Sequence, residues 1–497
     1  MKKIIALLLS LILALSCAVP AFAASPAAPT VTKKVTPPKI DTEYPMVVIR
    51  GMDFYTLKYK AGTKYEEEVF KGVDAKSILS TLGKAILEGV KHWDIHAFGD
   101  VVIDYAKDII GRMACDENGD SKYDVSIEQY TRSMASYPEF SGDLGSPSEI
   151  GILHRAVDLY GAKKVYYYNY DYRLDPIMHA KRINKLINTA LQENNKKQVN
   201  VISASMGGIL MLHYLNKFGS DKIHRAIFLS STFMGTYVST DLLQGKVTLD
   251  SENLYDLVLQ VLDSDKKALV GLIKALHAVG AFKLVAKLGT WLISKLKDQV
   301  YDEFLRDTFG TMPAIWAVTQ PEEIDACLQY MFGGREKKYA GLIEKIRKYK
   351  SVALRREKIL QSCVDNGMEL AVIASYDRAA VPLYERANGQ SDGVLDSPLM
   401  LGKATMAVRH QTLGNDYPVK NRRYISPDNI IDMSTALFPE YTWAIKDAPH
   451  VPTDYGSDIN NMLFWIMNRK TMPTVRSNAR YPQFMQSSSD LELRPFE

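Results

Sequence analysis

A predicted strand-to-helix junction decides the fold, and it lies at residues 199–210, which read VNVISASMGGIL. The first half is apolar and β-branched, as in a buried strand, and the second half has the spacing of an apolar helix. Ser203 and Gly207 stand two positions before and two positions after Ser205. Small residues at these two positions let a strand and a helix pass close together, so a sharp turn can present Ser205 above the sheet.

This junction predicts that Ser205 is a nucleophile. The commoner pattern is G-x-S-x-G, and here Ser203 replaces its first glycine. The N-terminus of the following helix favours developing negative charge, and the amide N–H of Met206 is placed to stabilise an oxyanion. The alternative is an ordinary turn with a capping serine. The strand before the turn, Gly208 after it and the apolar helix beyond favour the nucleophile.

Other short apolar runs alternate with helical stretches along the chain. They lie at 46–49, 164–168, 198–203, 225–230, 369–374 and 441–445. Asp175 followed by Pro176 has the composition of a helix start between two of these runs. Strands that alternate with helices predict an α/β fold, with a mostly parallel central sheet and helices on both faces.

The composition is that of a globular protein, with 497 residues of which 46% are hydrophobic and 24% charged. The net charge of +4 lacks the basic bias of nucleic-acid binders, so we expect no nucleic-acid partner, and we expect no cofactor. The cysteines beyond Cys17 form neither a CxxC pair nor a dense framework. At most one disulfide is expected, and Cys327 with Cys363 is the likelier pair.

The N-terminus predicts a secretory signal peptide. Two lysines precede an apolar run at residues 4–15, and the sequence AFA at residues 21–23 fits signal peptidase. We expect cleavage after Ala23, a secreted or cell-envelope location, and no transmembrane segment in the mature chain. An uncleaved anchor and a lipoprotein attached through Cys17 are the alternatives.

The general base and the acid are expected later in the chain than the serine, in the order serine, acid, histidine. His450 is the leading base among nine histidines, because it lies in a loop after the run at 441–445, and His410 is the alternative. Asp377 and Asp392 both lie where a carboxylate could orient the histidine.

A second oxyanion donor is expected from the loop that follows the first apolar run, at 46–49. Gly51 in this loop lets the backbone approach a substrate. The amide N–H of Met52 is therefore the candidate donor, and the amide of Gly51 is the alternative.

Five segments together carry a resemblance to a known family. They lie at 47–51, 168–173, 203–207, 391–394 and 447–450. With them the chain resembles the lecithin:cholesterol acyltransferase-like group of the α/β-hydrolase superfamily, which includes secreted bacterial lipases and esterases. The resemblance implies an α/β-hydrolase fold, and its Asp-Gly-x-Val acid turn maps onto Asp392, with Asp377 as the alternative. The chain departs from the group at Ser203, at Arg50 and in the acid turn, which lacks the intervening residue.

The expected domains follow from these assignments and from the long segments between them. They are a signal peptide at 1–23, a flexible leader at 24–43, an α/β-hydrolase core at 44–232 and 367–470 with an insertion at about 54–145, a helical cap at 233–366 and a C-terminal extension at 471–497.

Within the first insertion, Asp116, Asn118 and Asp120 alternate like calcium ligands. The loop lacks the glycine and the glutamate that a calcium loop needs at its sixth and twelfth positions, so a solvated turn is the favoured interpretation. Likewise, the basic run at 345–358 is interpreted as a solvated helix face.

In the second insertion, a helix after Gly280 predicts one polar face and one apolar face. Lysines and hydroxyl residues form the polar face, at Lys283, Lys287, Thr290, Ser294 and Lys297. Large apolar residues form the other, at Leu284, Val285, Leu288, Trp291, Leu292 and Leu296. We expect the apolar face to pack on a core. The alternatives are a gate over an apolar cleft and a peripheral contact with a lipid surface.

Taken together, the sequence predicts a secreted serine hydrolase or O-acyltransferase that acts on lipid esters through an acyl-enzyme on Ser205. A carbohydrate or cell-wall esterase of the same fold is the alternative substrate class. A catalytically silent module that binds lipid or wall polymer is the alternative from another class.

Overall fold

The computed structural model describes residues 43–72, 75–137, 147–262, 267–452 and 456–497. The predicted signal peptide and all but the last residue of the predicted leader lie outside the described residues.

The strands in the described part of the chain are short. In order they are β1 (Met46–Ile49), β2 (Lys58–Tyr59), β3 (Glu67–Glu68), β4 (Val125–Ser126), β5 (Val165–Tyr168), β6 (Val199–Ala204), β7 (Ile223–Leu229), β8 (Glu369–Tyr376), β9 (Thr405–Met406), β10 (Ile431–Asp432), β11 (Thr442–Lys446), β12 (Phe484–Ser487) and β13 (Leu493–Pro495).

The α-helices vary more in length. They are α1 (Ala75–His92), α2 (Ile95–Ile110), α3 (Pro147–Tyr160), α4 (Pro176–Asn194), α5 (Gly207–Phe218), α6 (Tyr237–Leu243), α7 (Ser251–Val261), α8 (Lys267–Ala278), α9 (Ala281–Val300), α10 (Pro313–Ala317), α11 (Ile324–Phe332), α12 (Ala340–Ala353), α13 (Arg356–Asp365), α14 (Ser397–Met400) and α15 (Asp458–Met467).

Eight strands form the central sheet, in the order β13-β12-β11-β8-β7-β6-β1-β5. Every neighbouring pair is parallel except β12 with β13, which is antiparallel. The apolar runs predicted the strands β1, β5, β6, β7, β8 and β11, and all six lie in this sheet. The predicted α/β fold with a mostly parallel sheet is confirmed.

The sheet is covered on both faces, because side chains alternate along each strand. In β1, Val47 and Ile49 belong to the hydrophobic cluster that contains α4 and α5. Met46 and Val48 belong to the opposite cluster, which contains α3 and α15. Both faces of the strands are therefore buried, which explains why the strands read as continuous apolar runs rather than as alternating ones.

The first insertion contains a small antiparallel sheet of β3, β2 and β4, and the helix pair α1 and α2. The second insertion divides into two packing units. Residues of α10 to α13, such as Trp316 and Leu360, belong to the same hydrophobic cluster as α4 and α5. Leu254 of α7 and Phe282 of α9 belong to a separate cluster.

The three cysteines in the described residues, Cys115, Cys327 and Cys363, are buried free thiols. The disulfide considered between Cys327 and Cys363 is therefore not formed. Burial raises the pKa of the Cys327 thiol to about 12, so this side chain stays protonated at neutral pH.

An ion-paired arginine in the segment after β5 links the first insertion to the core. Asp171 and Arg173 make a bidentate pair, with distances of 2.9 and 2.6 Å between their nitrogen and oxygen atoms. The Arg173 guanidinium also donates to the Met113 carbonyl at 3.1 Å and to the Ser121 hydroxyl at 2.9 Å. Arg173 is fully buried, so these acceptors replace the water that its charge has lost.

His179 supports the same segment from α4. Its Nε2 atom donates to the Asp171 carbonyl at 2.9 Å, and its Nδ1 atom accepts from the Tyr168 hydroxyl at 2.8 Å. Burial lowers the pKa of His179 to about 4, so the ring is neutral and can hold both roles at once. The segment at 168–173, one of the five that carry the family resemblance, therefore has a structural explanation in this chain.

We expect Arg173→Met to lower the free energy of unfolding by about 3–5 kcal/mol, because it leaves the Asp171 carboxylate buried without its cation. Urea unfolding at neutral pH measures the change. Arg132→Met is the matched control, because Arg132 pairs with Glu193 at the surface, and it should cost less than about 1 kcal/mol. Equal costs for the two variants would contradict a special role for Arg173.

Candidate active site

Ser205 lies on a strained turn between β6 and α5. Its backbone φ is +49°, in the left-handed region that non-glycine residues seldom adopt. Backbone hydrogen bonds hold it there: the Ser205 amide donates to the Leu229 carbonyl at 2.9 Å, and the Ser205 carbonyl accepts from Gly208 and Thr232. The side chain is half-buried, at the carboxyl ends of the parallel strands.

Two glycines let α5 pass this close to the sheet. A Cβ atom on Gly207 would lie 2.7 Å from the Arg50 carbonyl oxygen and 2.8 Å from the Ile49 carbonyl oxygen. A Cβ atom on Gly208 would lie 1.5 Å from the Ser231 Oγ atom. Any side chain at either position would push the helix away from its neighbours.

Ser203, which departs from the commoner glycine, is fully buried. Its hydroxyl donates to the carbonyl of Ile227 on the neighbouring strand at 3.2 Å. A small side chain with a satisfied hydroxyl thus fits where the pattern has glycine, and the turn keeps its shape.

His450 and Asp392 reach Ser205 from two loops. The His450 Nε2 atom lies 2.9 Å from the Ser205 Oγ atom, and the Nδ1 atom lies 2.6 Å from the Asp392 Oδ2 atom. Because a carboxylate only accepts, Nδ1–H donates to Asp392 and leaves Nε2 to accept the Ser205 proton. The three residues predicted as nucleophile, base and acid are therefore joined by two hydrogen bonds.

The acid is held by its own turn. The Oδ1 atom of Asp392 accepts hydrogen bonds from the amides of Val394 and Leu395, at 3.0 and 2.9 Å. Gly393, which lies between Asp392 and Val394, has a φ of +100°, which a residue with a side chain would adopt only with strain. The carboxylate is fully buried, so its second oxygen is directed at His450.

The alternative candidates have other partners. The Asp377 carboxylate lies 3.1 Å from the Lys446 ammonium and 3.8 Å from the Arg409 guanidinium. His410 is an exposed side chain whose Nε2 atom lies 2.9 Å from Asp256. Of the candidates weighed from the sequence, Asp392 is the carboxylate that His450 contacts.

Both candidate oxyanion donors lie beside the serine. Met52 and Met206 line the same cavity as Ser205 and His450. Neither methionine amide donates a hydrogen bond to any residue that the structure describes. Gly207 packs against the carbonyls of Ile49 and Arg50, so the loop that carries Met52 begins next to the Ser205 turn.

Arg50 and Asp53 fix the loop that carries Met52, and the sequence analysis did not assign them a role. Their side chains pair at 2.6 Å and are almost fully buried. Arg50 also donates to the Asn169 side chain at 2.8 Å and to the Gly51 carbonyl at 3.3 Å. The signal was available in the sequence, since an arginine and an aspartate three positions apart follow a buried strand.

Ser205 and His450 line a cavity of about 510 Å³ with mostly apolar walls. The first insertion contributes side chains of α2, namely Phe98, Val102, Ile103, Ala106, Ile109 and Ile110. The second contributes residues of α9, namely Gly289, Leu292, Ile293, Leu296, Lys297 and Val300. The cap was predicted in the second insertion alone, whereas α2 of the first insertion lines the cavity together with α9.

The candidate calcium loop forms a turn. The Asp116 carboxylate accepts from the amides of Asn118 and Asp120, both at 2.9 Å. The Asp120 carboxylate lies 3.0 Å from the Lys345 ammonium. Within the described ranges, no group of three or more His, Cys, Asp or Glu side chains is arranged to hold a metal ion.

Comparison with known proteins supports this geometry at the level of the fold. A family model described as the alpha/beta hydrolase fold matches residues 152–268, which include the Ser205 turn. The match supports placement in the α/β-hydrolase superfamily, and the sheet has the corresponding order, so the chain has the α/β-hydrolase fold. It suggests a hydrolytic enzyme and does not reach the acyltransferase-like group.

The other comparisons add little. No curated protein matches the chain. A solved structure entitled "The crystal structure of Tle4-Tli4 complex" matches with 12% identity over 40% of this chain and 48% of that chain, at a TM-score of 0.19. The chain thus spans about half the length of the solved chain that it matches.

We expect a fluorophosphonate probe to label Ser205, because His450 can accept its proton and raise its nucleophilicity. Asp392→Asn should slow labelling by about 10²–10⁴-fold, because an asparagine neither fixes the required tautomer nor stabilises the imidazolium. Labelling rates from in-gel fluorescence measure the effect, with Ser205→Ala as the blank.

Asp377→Asn is the matched control, since it makes the same chemical change in a carboxylate that faces Lys446 and Arg409. It should slow labelling by less than about 10-fold, as expected for a residue outside a triad. A larger loss in Asp377→Asn than in Asp392→Asn would show that the acid is misassigned.

Proposed function

We propose that the protein is a serine hydrolase that cleaves long-chain lipid esters through Ser205, His450 and Asp392. The main support for this proposal is that Ser205 and His450, which are hydrogen-bonded to each other, line the apolar cavity to which both insertions contribute. We also propose that the protein is related to the lecithin:cholesterol acyltransferase-like group, on the sequence segments that carry this resemblance. A secreted location is part of the same proposal, and the pattern at residues 1–23 supports it.

In the first half-reaction, the Ser205 Oγ atom attacks the ester carbonyl carbon while His450 Nε2 removes the hydroxyl proton. The buried Asp392 carboxylate stabilises the imidazolium that forms. Collapse of the tetrahedral intermediate breaks the bond to the alcohol oxygen, and His450 gives its proton to the leaving alcohol. The product is an acyl group esterified to Ser205.

The negative charge on the carbonyl oxygen needs donors that are in place before the reaction. The amides of Met206 and Met52 are the proposed donors, since both residues line the cavity at Ser205. The buried Arg50–Asp53 pair holds the Met52 loop, so little free energy is spent on ordering it during turnover.

In the second half-reaction, His450 removes a proton from the acceptor, and the acceptor oxygen attacks the acyl carbon. The bond between the acyl carbon and the Ser205 Oγ atom then breaks, and His450 returns the proton to this oxygen. Water as the acceptor gives hydrolysis, and a bound alcohol gives O-acyl transfer. We propose hydrolysis as the main reaction, because transfer requires a site that excludes water from the acyl-enzyme.

The cavity walls support a lipid substrate over a carbohydrate. The walls formed by α2 and α9 are apolar apart from Lys297. Sugar hydroxyls in such a space would lose their hydrogen bonds to water without gaining protein partners. An acyl chain gains about 0.8 kcal/mol for each methylene that it buries, or about fourfold in binding.

An ester panel of graded acyl length tests the proposed function. With the purified full chain we expect kcat/KM to rise by at least about 10-fold between butyryl and decanoyl esters, because more methylenes are buried. Ser205→Ala should abolish turnover of all of them. The highest kcat/KM on an acetylated carbohydrate would favour the carbohydrate esterase. An absence of turnover and of probe labelling would favour a silent binding module.

Gly289 is predicted to set the acyl length. It lies on the same face of α9 as Leu292, Ile293 and Leu296, and all four line the cavity. Gly289→Leu should therefore place its side chain in the cavity and reduce kcat/KM for decanoyl esters by about 10-fold or more. Butyryl esters should be affected less than about threefold, because a short chain ends nearer to Ser205.

Gly271→Leu is the matched control for replacing a helix glycine. Gly271 lies in α8, and no atom lies within 4 Å of the position that its Cβ would take. This variant should leave the chain-length preference unchanged. An equal loss on short and long esters in Gly289→Leu would indicate general damage and would contradict the assignment.

A further inference from the structure

The outer face of α9 carries apolar and basic side chains in one exposed stripe. Leu284, Lys287, Trp291 and Lys295 follow one another at helical spacing, and all four are exposed. Trp291 is 54% exposed and Leu284 is 48% exposed. The sequence analysis placed these two apolar residues on the packed face, so the apolar arc of the helix is wider than the arc that the protein covers.

Thr290 and Lys297 were predicted on the polar face and have partners within the fold. The Thr290 hydroxyl accepts a hydrogen bond from the Leu249 amide at 3.1 Å. The Lys297 ammonium lies over the Tyr330 ring, 5.6 Å from its centre, and the residue lines the cavity. The free face of the helix is thus rotated from the predicted one and centres on Trp291.

The adjoining helix α8 extends the exposed apolar surface. Leu272 is 53% exposed, and Val279, in the turn to α9, is 79% exposed. In the described residues no single helix is long and apolar enough to span a membrane, and α8 with residues 281–305 passes that test only as a pair bent by 69°. We name α8, α9 and the turn between them, residues 267–300, the α8–α9 hairpin.

The α8–α9 hairpin is strongly basic. It contains six lysines and one carboxylate, Asp298, although the whole chain has a net charge of only +4. Within the described residues, none of these lysines has a carboxylate oxygen within 4.0 Å. Its positive charge is therefore not neutralised inside the protein, and it favours an anionic partner.

The basic run in α12 shows the contrast. Lys345, Lys348 and Lys350 lie 3.0, 2.8 and 2.7 Å from the carboxylates of Asp120, Glu344 and Asp325. These lysines have carboxylate partners within the fold, whereas the lysines of the α8–α9 hairpin have none among the described residues.

We propose that the α8–α9 hairpin docks the protein on an anionic lipid surface. Lysine ammonium groups would meet anionic head groups, while Leu284 and Trp291 would enter the boundary between head groups and acyl chains. Tryptophan suits this depth because its ring is largely apolar and its N–H finds a polar partner.

The position of the cavity agrees with this occupant. The inner face of α9 lines the cavity, and the helix is only about 10 Å across. A surface held on the outer face would present ester substrate close to the cavity. The supply of ester substrate by the docked surface rests on the proposed function, whereas the docking itself does not depend on it.

A second copy of the chain fits this face less well. A symmetric dimer would place the same patch of each copy against the other. The unneutralised lysines of the two hairpins would then face each other, and like charges that are buried together oppose association.

Vesicle co-sedimentation of the full-length Ser205→Ala protein tests the proposal without hydrolysis of the lipid. We expect binding to phosphatidylcholine vesicles with about 30 mol% phosphatidylglycerol, weak binding to phosphatidylcholine alone, and release by salt. Lys287→Gln with Lys295→Gln should weaken anionic binding by about 30-fold, which corresponds to about 1 kcal/mol per lysine. Trp291→Ser should weaken it by about 10-fold.

Lys348→Gln with Lys350→Gln is the matched control, because it removes the same charge from the ion-paired helix. It should change binding by less than about twofold, since paired surface lysines contribute little field. Thermal unfolding of each variant checks that the substitutions leave the fold intact.

Equal binding to neutral and anionic vesicles, no binding, or equal losses in both double variants would overturn the proposal. So would a concentration-dependent dimer, measured by analytical ultracentrifugation, that Trp291→Ser disrupts. Hydrolysis of soluble butyryl esters is measured separately, with the unsubstituted protein that retains Ser205. Docking without any ester hydrolysis would support the docking surface and overturn the proposed function.

Discussion

The structure depends on one close approach, where α5 crosses the carbonyl ends of β1 beneath Ser205. Gly207 lies so near the Ile49 and Arg50 carbonyls that a single added carbon would collide with both. Ser205 has its left-handed conformation directly before this contact, and the loop that carries Met52 begins at Arg50, on the other side of it. The proposed nucleophile and the two candidate oxyanion donors thus depend on a close approach that glycine permits. The strain at Ser205 is offset by backbone hydrogen bonds to Leu229, Gly208 and Thr232.

Buried charges carry this arrangement outward into the insertions. Arg173 links the loop after β5 to residues of the first insertion. Asp396 lies four residues after the proposed acid and accepts hydrogen bonds from Thr236, Tyr237 and Tyr384, so the acid turn is tied to the start of the second insertion. The pKa of Asp396 is raised, because the effect of burial exceeds the opposing effect of its three hydrogen-bond donors. The first insertion is therefore fixed to the loop after β5, and the second insertion is fixed to the turn that carries the proposed acid.

The sequence was sufficient where local pattern and topology determine the outcome. The strands were readable because both faces of the sheet are buried. Ser205 and His450 were proposed because each follows a predicted strand in a recognisable turn, and the structure places the two side chains within hydrogen-bond distance of each other. The choice of Asp392 over Asp377 needed the family resemblance, since what separates them is that Lys446 and Arg409, distant in sequence, engage Asp377. The contribution of α2 to the cavity was missed for the same reason. Its contact with α9 joins segments about two hundred residues apart, and helical periodicity alone does not reveal the partner of an apolar face.

The two faces of α9 give the cavity a physical rationale. Protein interiors are close-packed, so an apolar space of about 510 Å³ beside Ser205 is not a packing accident. Gly289 keeps a position in the wall empty where any larger residue would fill it, at the expense of helix propensity. Water is poorly stabilised in such a cavity, because the walls offer few hydrogen-bond partners. An acyl chain in the same space buries its own apolar surface and that of the walls. The outer face of the same helix leaves the apolar ring of Trp291 more than half exposed to water, whereas an anionic lipid surface would cover the ring and attract the neighbouring lysines. One helix thus relates the source of the proposed substrate to the space that would receive its acyl chain.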